Sequence, residues 1–385
     1  MKRELQRIEI PGEHDARQRT WRVVEAAFGE RERVTWPRRH ARSLVFAAAG
    51  VAVVAAAVTP PGRSVVNTLR DAVGREKVVG VRPAHRELVR LPAGGQLLLD
   101  SARGPWIVHE NGSRRLLGPG YKMASWSPHG KYVAAVLRSF ELAALDPKGN
   151  VRWSKGRKQR IAFPRWSYEG YRIAYLSDDT LRVITGDGMK DWGLGNADPS
   201  VAPAWRPETH EVAYVGPDGS ARVADADVRK LLWHASVFPD RVRGFAWSDD
   251  GKRLLVLGRT SVQVHRADGT LIGSSPTKGP STAAAFTPQS HRFALVVGAI
   301  VIVVDGDTLR FPNRALFTGT TNLSGLAWSP DGKWLLVGWP RADELVFVRV
   351  GSSPKKYAVA NVAEQFSPGA QLPAFPRVAG WCCSS

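Results

Sequence analysis

Short apolar or alternating runs, separated by turn-forming residues, fill the chain after residue 86 and predict β-strands rather than helices. The clearest of these runs belong to one pattern. An aromatic residue precedes a polar turn such as Ser-Pro-Asp-Gly, and an apolar run such as "KWLLVGW" or "YRIAYL" follows it. In such a turn proline presets φ at the second position and glycine tolerates the fourth. The pattern therefore predicts two antiparallel strands joined by a tight turn.

This unit recurs six times, with its aromatic residues 39 to 42 positions apart. The aromatics are Trp126, Trp166, Trp205, Trp247, Phe286 and Trp328. A second pair of strands fits between one unit and the next, often joined through a glycine turn such as Asp187-Gly188. Four-stranded units with a period of about 40 residues are the blades of a β-propeller. We expect the recurrent aromatic to wedge between neighbouring blades.

Two further segments bear on the number of blades. Residues 86–120 fit a degenerate additional unit, with a turn at Asn111-Gly112. Near the other end, "FPRVAGWCC" resembles the first strand of the repeat, with Trp381 in the aromatic position. The C-terminal strand is therefore expected to join the first blade and close the ring. We predict an all-β propeller over residues 86–385, with seven blades favoured and six as the alternative.

The repeat resembles that of the TolB-type, WD40-like propellers of bacteria. Residues 328–333 read W-S-P-D-G-K and match that signature in full, and residues 247–252 match it with Asp249 in place of proline. The resemblance covers roughly residues 125–340. It implies a propeller fold and a binding role, since such propellers are mainly protein-binding platforms of the cell envelope, although the same repeat also precedes hydrolase domains. The chain differs from TolB in lacking its N-terminal domain, and the matching residues are structural, so no functional residue carries over.

An uncharged stretch, residues 43–62, precedes the predicted propeller. Twenty residues at 1.5 Å rise span about 30 Å, the thickness of the hydrocarbon core, so we predict a single transmembrane helix. Arg38, Arg39 and Arg42 precede it, and positive charge stays on the cytoplasmic side. The N-terminus is therefore expected inside the cell and the propeller outside the cytoplasm. Because the fully apolar part covers only 15 residues, from 44 to 58, a cleaved signal peptide is the alternative.

Two short segments flank this stretch. Residues 1–42 are basic overall and place Trp21, Val24 and Phe28 at helical spacing. This spacing predicts a short amphipathic helix, which either docks a cytoplasmic partner, lies on the inner leaflet, or merely follows the topology signal. Residues 63–85 predict a short helix that acts as a stalk or packs beneath the propeller.

The formal net charge of +19 comes from 54 basic and 35 acidic side chains. Such a charge favours an anionic partner such as lipid or cell-wall polymer, but an arginine excess also follows from a GC-rich genome. The basic residues do not cluster with aromatics, so we expect no nucleic-acid binding. Cys382 and Cys383 are adjacent. Neighbouring cysteines rarely bridge each other and two thiols do not complete a tetrahedral metal site, so the fold is not expected to depend on a disulfide.

The sequence contains no zinc-protease, paired-cysteine, nucleophile-elbow or phosphate-loop signature. Asp225 and Asp227 alone do not make a calcium loop, which needs more oxygen ligands. The histidines form no close pair, and we interpret them as surface or packing residues in strands and turns: His109, His265, His129, His210 and His291. We therefore expect no catalytic residue, metal or cofactor.

These observations favour a single-pass membrane protein whose extracytoplasmic propeller binds an envelope protein or senses a ligand, with signalling through the N-terminal segment as an extension. A propeller enzyme acting on glycans or peptides is the second hypothesis, and it needs clustered carboxylates or a metal at the ring axis. The third hypothesis is electrostatic binding of anionic cell-wall polymer. Since no coiled-coil heptads occur, a monomeric propeller is expected.

Overall fold

The computed structural model describes residues 84–85, 87–235, 240–351 and 355–383. These residues form seven four-stranded antiparallel sheets. No helix among them is long and apolar enough to span a membrane. The predicted amphipathic helix, the predicted transmembrane helix with Arg38, Arg39 and Arg42, and the predicted stalk up to residue 83 lie outside the described residues.

Each sheet is one blade of a propeller, and the blades follow one another along the chain. Blade 1 combines the strands β1 (Gln96–Asp100), β2 (Pro105–Val108) and β3 (Arg114–Leu116) with the last strand, β28 (Arg377–Cys382). Blades 2 and 3 consist of β4 (Tyr121–Trp126), β5 (Val133–Leu137), β6 (Glu141–Leu145), β7 (Val151–Gly156), and of β8 (Ile161–Trp166), β9 (Arg172–Ser177), β10 (Thr180–Thr185), β11 (Asp191–Asn196). Blades 4 and 5 consist of β12 (Ala204–Trp205), β13 (Glu211–Val215), β14 (Ala221–Asp225), β15 (Lys230–His234), and of β16 (Val242–Trp247), β17 (Arg253–Gly258), β18 (Ser261–Arg266), β19 (Leu271–Pro276). Blades 6 and 7 consist of β20 (Ser281–Phe286), β21 (Arg292–Val297), β22 (Ile300–Asp305), β23 (Phe317–Thr318), and of β24 (Ser324–Trp328), β25 (Trp334–Trp339), β26 (Glu344–Arg349), β27 (Lys356–Val359).

The ring closes through its last strand. β28 runs antiparallel to β1, with Leu97 opposite Trp381 and Gln96 opposite Cys382. The innermost strands of neighbouring blades contact one another all the way around the ring, β28 included. The prediction of seven blades is confirmed, and the six-bladed alternative is wrong because residues 96–116 form a complete blade with β28.

The hydrophobic core lies between the blades. The middle strands are buried on both faces, as in β17, so they read as continuous apolar runs rather than as an alternation. The outermost strands, such as β7, are mostly exposed and polar. The core consists of seven clusters, and each joins two adjacent blades, for example through Leu255 of blade 5 and Phe293 of blade 6. Burial between blades therefore drives assembly of the ring.

The recurring Ser-x-Asp-Gly turn is explained by its hydrogen bonds. In blade 5 the buried Ser248 Oγ accepts the backbone N–H of Arg253 at 3.0 Å and donates to Asp250 Oδ1 at 2.7 Å. Gly251 adopts φ 64°, a conformation that glycine takes without strain. Residues 329–334 of blade 7 repeat these contacts. Each motif thus fixes the turn between the first and second strands of its blade.

These turns share one side of the ring, which we call the motif face. It is defined by the turns at residues 127–131, 167–171, 206–210, 248–252, 287–291 and 329–333. In a four-stranded antiparallel sheet the turn between the third and fourth strands lies at the same edge as the turn between the first and second. The motif face therefore carries two connections from each of blades 2 to 7, and one, at residues 109–113, from blade 1.

The longest connection between described blades runs over residues 360–376 and leads from β27 to β28. It contains the single described helix, α1 (Val362–Phe366), which packs its buried Val362 and Phe366 against blades 7 and 1. The segment that enters the propeller lies beside it, since His85 pairs with Val359 in a parallel bridge.

The two cysteines behave differently from expectation. The structure joins Cys382 to Cys383 through a disulfide. The chain turns there, with Cys383 at φ 49°, and both sulfurs lie against the backbone of Ser127 and Pro128 in blade 2. Because the bond connects neighbouring residues, it closes no long loop and restricts the unfolded chain little.

Candidate functional site

The structure places the seven repeat aromatics at equivalent positions, at or near the end of the innermost strand of each blade. Each one packs into the cluster that it shares with the preceding blade: Trp126, Trp166, Trp205, Trp247, Phe286, Trp328 and Trp381. Three of the indoles also donate to the carbonyl oxygen just before the aromatic of the preceding blade. These pairs are Trp205 to Arg165 at 2.9 Å, Trp247 to Ala204 at 3.3 Å and Trp328 to Ala285 at 3.2 Å. The position serves packing between blades.

A second, outer set of tryptophans was not singled out from the sequence. Each lies on the fourth strand of its blade and donates to the turn between the third and fourth strands of the next blade. The pairs are Trp153 to Gly186 at 2.8 Å, Trp192 to Ala226 at 2.9 Å and Trp233 to Ala267 at 2.9 Å. Gly188 lies so close to Trp153 that a Cβ there would be only 2.7 Å from the ring. Their spacing of 39 and 41 residues is the signal that could have revealed them.

The turns held by these outer tryptophans carry exposed apolar side chains. Met189 in blade 3 is 76% exposed, and Val228 in blade 4 is 69% exposed. The first turn of blade 3 adds Tyr168 and Tyr171, which are 51% and 71% exposed. The two turns of blade 3 adjoin each other, since the Gly186 N–H donates to the Tyr171 carbonyl oxygen at 2.7 Å. We call Tyr168, Tyr171, Met189 and Val228 the apolar patch.

A bidentate ion pair ties the blade 3 side of the apolar patch to its blade 4 side. Arg172 at the start of β9 donates from Nε at 2.8 Å and from Nη2 at 2.6 Å to the two carboxylate oxygens of Asp227. His210 Nδ1 lies 2.8 Å from Asp227 Oδ2. Since Arg–carboxylate forks fix geometry as well as charge, the patch is built on turns with one defined arrangement.

A cleft of about 500 Å³ adjoins the apolar patch, and Lys190, Asp191, Trp192, Asp227 and Arg229 line it. The Arg229 guanidinium carbon lies 5.8 Å from the centre of the Trp192 ring, a cation–π contact. Asp227 is engaged by the ion pair to blade 3. The cleft therefore presents a positive rim beside the apolar patch.

The second carboxylate of the cleft is also engaged. Asp191 is nearly buried and accepts hydrogen bonds from Arg157, from Arg182 Nε at 3.0 Å and from the Tyr175 hydroxyl at 2.7 Å. Burial, reinforced by Asp191, raises the pKa of Tyr175 to about 12. Asp191 is therefore a structural acceptor with its oxygens occupied, which argues against its use as a general base.

A larger cleft of about 910 Å³ lies between blades 7 and 1, beside α1. Asp343 Oδ1 accepts the Ala363 N–H at 2.7 Å, and Arg114 Nη1 donates to Gln365 Oε1 at 3.0 Å. Burial raises the pKa of Asp343 despite the backbone hydrogen bonds from α1. Asp343 and Arg114 thus hold α1 where the ring closes. Trp106 packs edge-on against Phe366 of this helix, with ring centroids 5.9 Å apart.

The other polar residues considered from the sequence lie in turns or between blades. Asp225 Oδ1 accepts the backbone N–H groups of Asp227 and Val228 at 2.8 and 3.0 Å. His265 is buried between Gly269 O and Gln263 Oε1, each 3.1 Å from a ring nitrogen. Across the described ranges, no three or more His, Cys, Asp or Glu side chains gather closely enough to hold a metal ion.

Comparison with known proteins gives no match to the chain, either among family models or among curated proteins. The interpretation of the site therefore depends on the geometry above.

Proposed function

We propose that the protein is a membrane-anchored, extracytoplasmic binding module of the cell envelope, and that its propeller binds a partner protein through the apolar patch. The observation that carries this proposal is the presence of four exposed apolar side chains on adjoining turns that hydrogen bonds hold in place. Scattered exposed apolar residues are ordinary, whereas several on neighbouring turns that hydrogen bonds hold together are typical of an interaction site.

The composition of the apolar patch supports a protein partner. Tyrosine and methionine are enriched in protein interfaces because they bury large areas at moderate entropic cost. The outer tryptophans and the Arg172–Asp227 pair fix the turns before binding, which lowers the cost of ordering them. Lys190 and Arg229 lie at the rim of the adjoining cleft. The partner we propose accordingly presents apolar side chains flanked by carboxylates.

The sequence supports the anchoring and the location. The uncharged residues 43–62 suit a transmembrane helix, and Arg38, Arg39 and Arg42 suit an N-terminus in the cytoplasm. The TolB-like repeat signature agrees with a role in the envelope. In this arrangement residues 1–42 are free to signal binding to the cytoplasm.

The test is a crosslinked pull-down from membranes of cells that express the full-length protein. The variant carries Tyr171→Ser and Met189→Ser, which remove apolar contact area without touching the turn hydrogen bonds. The control is Leu271→Ser, since Leu271 is 50% exposed on β19, the outermost strand of blade 5, which carries none of the apolar patch.

We expect the same protein to be captured by the wild type and by the control, and capture by the double variant to fall at least about tenfold, the loss of roughly 1.4 kcal/mol of binding energy. Equal capture by the double variant and the control would contradict the proposed surface. Capture that disappears only when residues 1–42 are removed would move the binding function to the cytoplasmic segment.

A further inference from the structure

One arginine breaks the pattern at the position just before the repeat aromatic. In six blades this position holds glycine, serine or alanine, where the innermost strands converge on the central channel. The six small residues are Gly380, Ser125, Ala204, Ala246, Ala285 and Ala327. In blade 3 the residue is Arg165. A single long cation therefore lies among small side chains.

Arg165 lies near the end of β8, the innermost strand of blade 3, which contacts the innermost strands of blades 2 and 4. Its charge interacts with Arg377 and Asp100, which both belong to blade 1. Blade 2 separates blade 3 from blade 1 along the ring, so this interaction runs across the channel rather than through a blade junction. Burial, and then the like charge of Arg377, lower the pKa of Arg165 to about 10.

The carboxylate of Asp100 is used by other groups at one oxygen, whereas its Oδ1 is buried without a hydrogen-bond partner within the described residues. Asp100 Oδ2 accepts Arg377 Nη2 at 2.5 Å and the Ala124 N–H at 3.0 Å. Arg165 makes no ion pair among the described residues, and Nη1 donates to the carbonyl oxygen of Pro164 at 2.9 Å. Arg165, Arg377 and Asp100 thus carry one positive charge in excess. Arg165 is partly removed from water, where a charge without a full counter-charge is costly, so this excess favours a compensating anion.

Blades 2 and 3 add unused hydrogen-bond donors. The Ser125 hydroxyl and the Trp126 and Trp166 indole nitrogens are buried and have no partner within the described part of the chain. These indoles occupy the positions whose equivalents in blades 4, 5 and 7 donate to the preceding blade. The inner hydrogen bonds are therefore missing at the two blade junctions on either side of Ser125.

We infer that the central channel binds an anion carrying a carboxylate or phosphate group, with Arg165 as its anchor. The planar guanidinium matches either group through two parallel hydrogen bonds. The Ser125 hydroxyl on the adjoining blade 2 and the Trp166 N–H, which follows Arg165 in blade 3, are neutral donors. Water would satisfy these donors but would leave the charge of Arg165 uncompensated. This site is independent of the apolar patch and adds a ligand to the propeller.

The experiment measures binding of inorganic phosphate and of acetate to the full-length protein by calorimetry at a fixed ionic strength. Saturable binding of one probe per chain is expected, and the preferred probe assigns the ligand to the phosphate or to the carboxylate class. Arg165→Gln is expected to abolish binding. Arg115→Gln is the matched control, since Arg115 is an exposed arginine on β3, the outermost strand of blade 1 and away from the channel, and it should bind as the wild type does. Ser125→Ala should weaken binding about three- to tenfold, the loss of one hydrogen bond.

Thermal unfolding provides a second readout. The preferred probe should raise the unfolding temperature of the wild type and of Arg115→Gln but not that of Arg165→Gln. Without the probe, Arg165→Gln should be at least as stable as the wild type, because the variant lacks the uncompensated charge. Absence of saturable binding of both probes to the wild type, or unchanged binding to Arg165→Gln, would overturn the inference.

Discussion

Replacing Trp381 with alanine removes the side chain that anchors the closing strand β28 to the ring. Trp381 is buried in the cluster that joins blade 1 to blade 7, and its ring meets Phe347 edge-to-face with centroids 5.6 Å apart. Its Nε1 donates to the Gly94 carbonyl oxygen at 3.1 Å. The substitution therefore creates a cavity at the junction where the two ends of the propeller meet.

The structure sets the size of the effect. Truncation of a buried tryptophan to alanine costs about 3–5 kcal/mol, which includes the lost contact with Phe347. Trp381→Phe keeps an aromatic ring but removes the hydrogen bond to Gly94 and part of the side-chain volume, so we expect it to lower the free energy of unfolding by about 1–3 kcal/mol. Leu372→Ala is the control, because Leu372 lies in the connection that leads to β28 and is 92% exposed. It should change stability by less than about 0.5 kcal/mol.

Denaturant-induced unfolding of the full-length variants, followed by tryptophan fluorescence and circular dichroism, measures these differences through the midpoint and the slope. The expected order of destabilisation is Trp381→Ala, then Trp381→Phe, then Leu372→Ala. If Trp381→Ala unfolded at the same midpoint as Leu372→Ala, closure of the ring by β28 would not stabilise the protein and the argument would be refuted.

Two further predictions concern contacts between blades. His291 lies 3.0 Å from Asp250 and 2.9 Å from Asp307; burial opposes its charged form, but the hydrogen bonds to both carboxylates prevail and raise its pKa. A raised folded-state pKa stabilises the fold below the unfolded value of about 6.5, and this contribution disappears as the pH rises through the folded value. His291→Gln should therefore destabilise the protein by about 1 kcal/mol or less near pH 5.5, and by less near pH 9. Thermal unfolding measures this difference, with His129→Gln, at an exposed histidine, as the control. An equal loss of stability at both pH values would contradict the charge-based account. Trp192→Phe removes the hydrogen bond to Ala226 and should cost about 0.5–1.5 kcal/mol. Trp192→Phe should also reduce partner capture. Trp233→Phe removes the equivalent contact one blade further on, so it should cost the same stability and leave partner capture unchanged. Equal capture by the two variants would show that the outer tryptophans do not support the apolar patch.

The repeat could be predicted from the sequence because each blade carries the same local turn chemistry. Ser248, Asp250 and Arg253 interact within a window of six residues, so their pattern is visible in a short stretch of sequence. The closing strand was also predictable, since Trp381 stands in the aromatic position of the repeat. The burial of middle strands between two blades explains why their apolar runs are continuous.

The candidate sites were harder to predict from the sequence because they depend on contacts between blades. Trp153 and Trp192 lie in weakly patterned outer strands, and their partners are 33 and 34 residues away. In the sequence Arg165 is simply the residue before a repeat aromatic, and only the closed ring brings its charge near that of Arg377. The bond between Cys382 and Cys383 depends on a backbone turn that cannot be predicted from two adjacent cysteines in the sequence.

The measurement that tests the central claim most directly is site-specific photocrosslinking in intact cells. A photoreactive amino acid replaces Met189 in the apolar patch, or Leu271 on the outer edge of blade 5, in the full-length protein. The account predicts one discrete crosslinked partner from position 189, formed outside the cytoplasm, and none from position 271. Crosslinks of equal yield from both positions, or none from position 189, would contradict a binding role for the apolar patch.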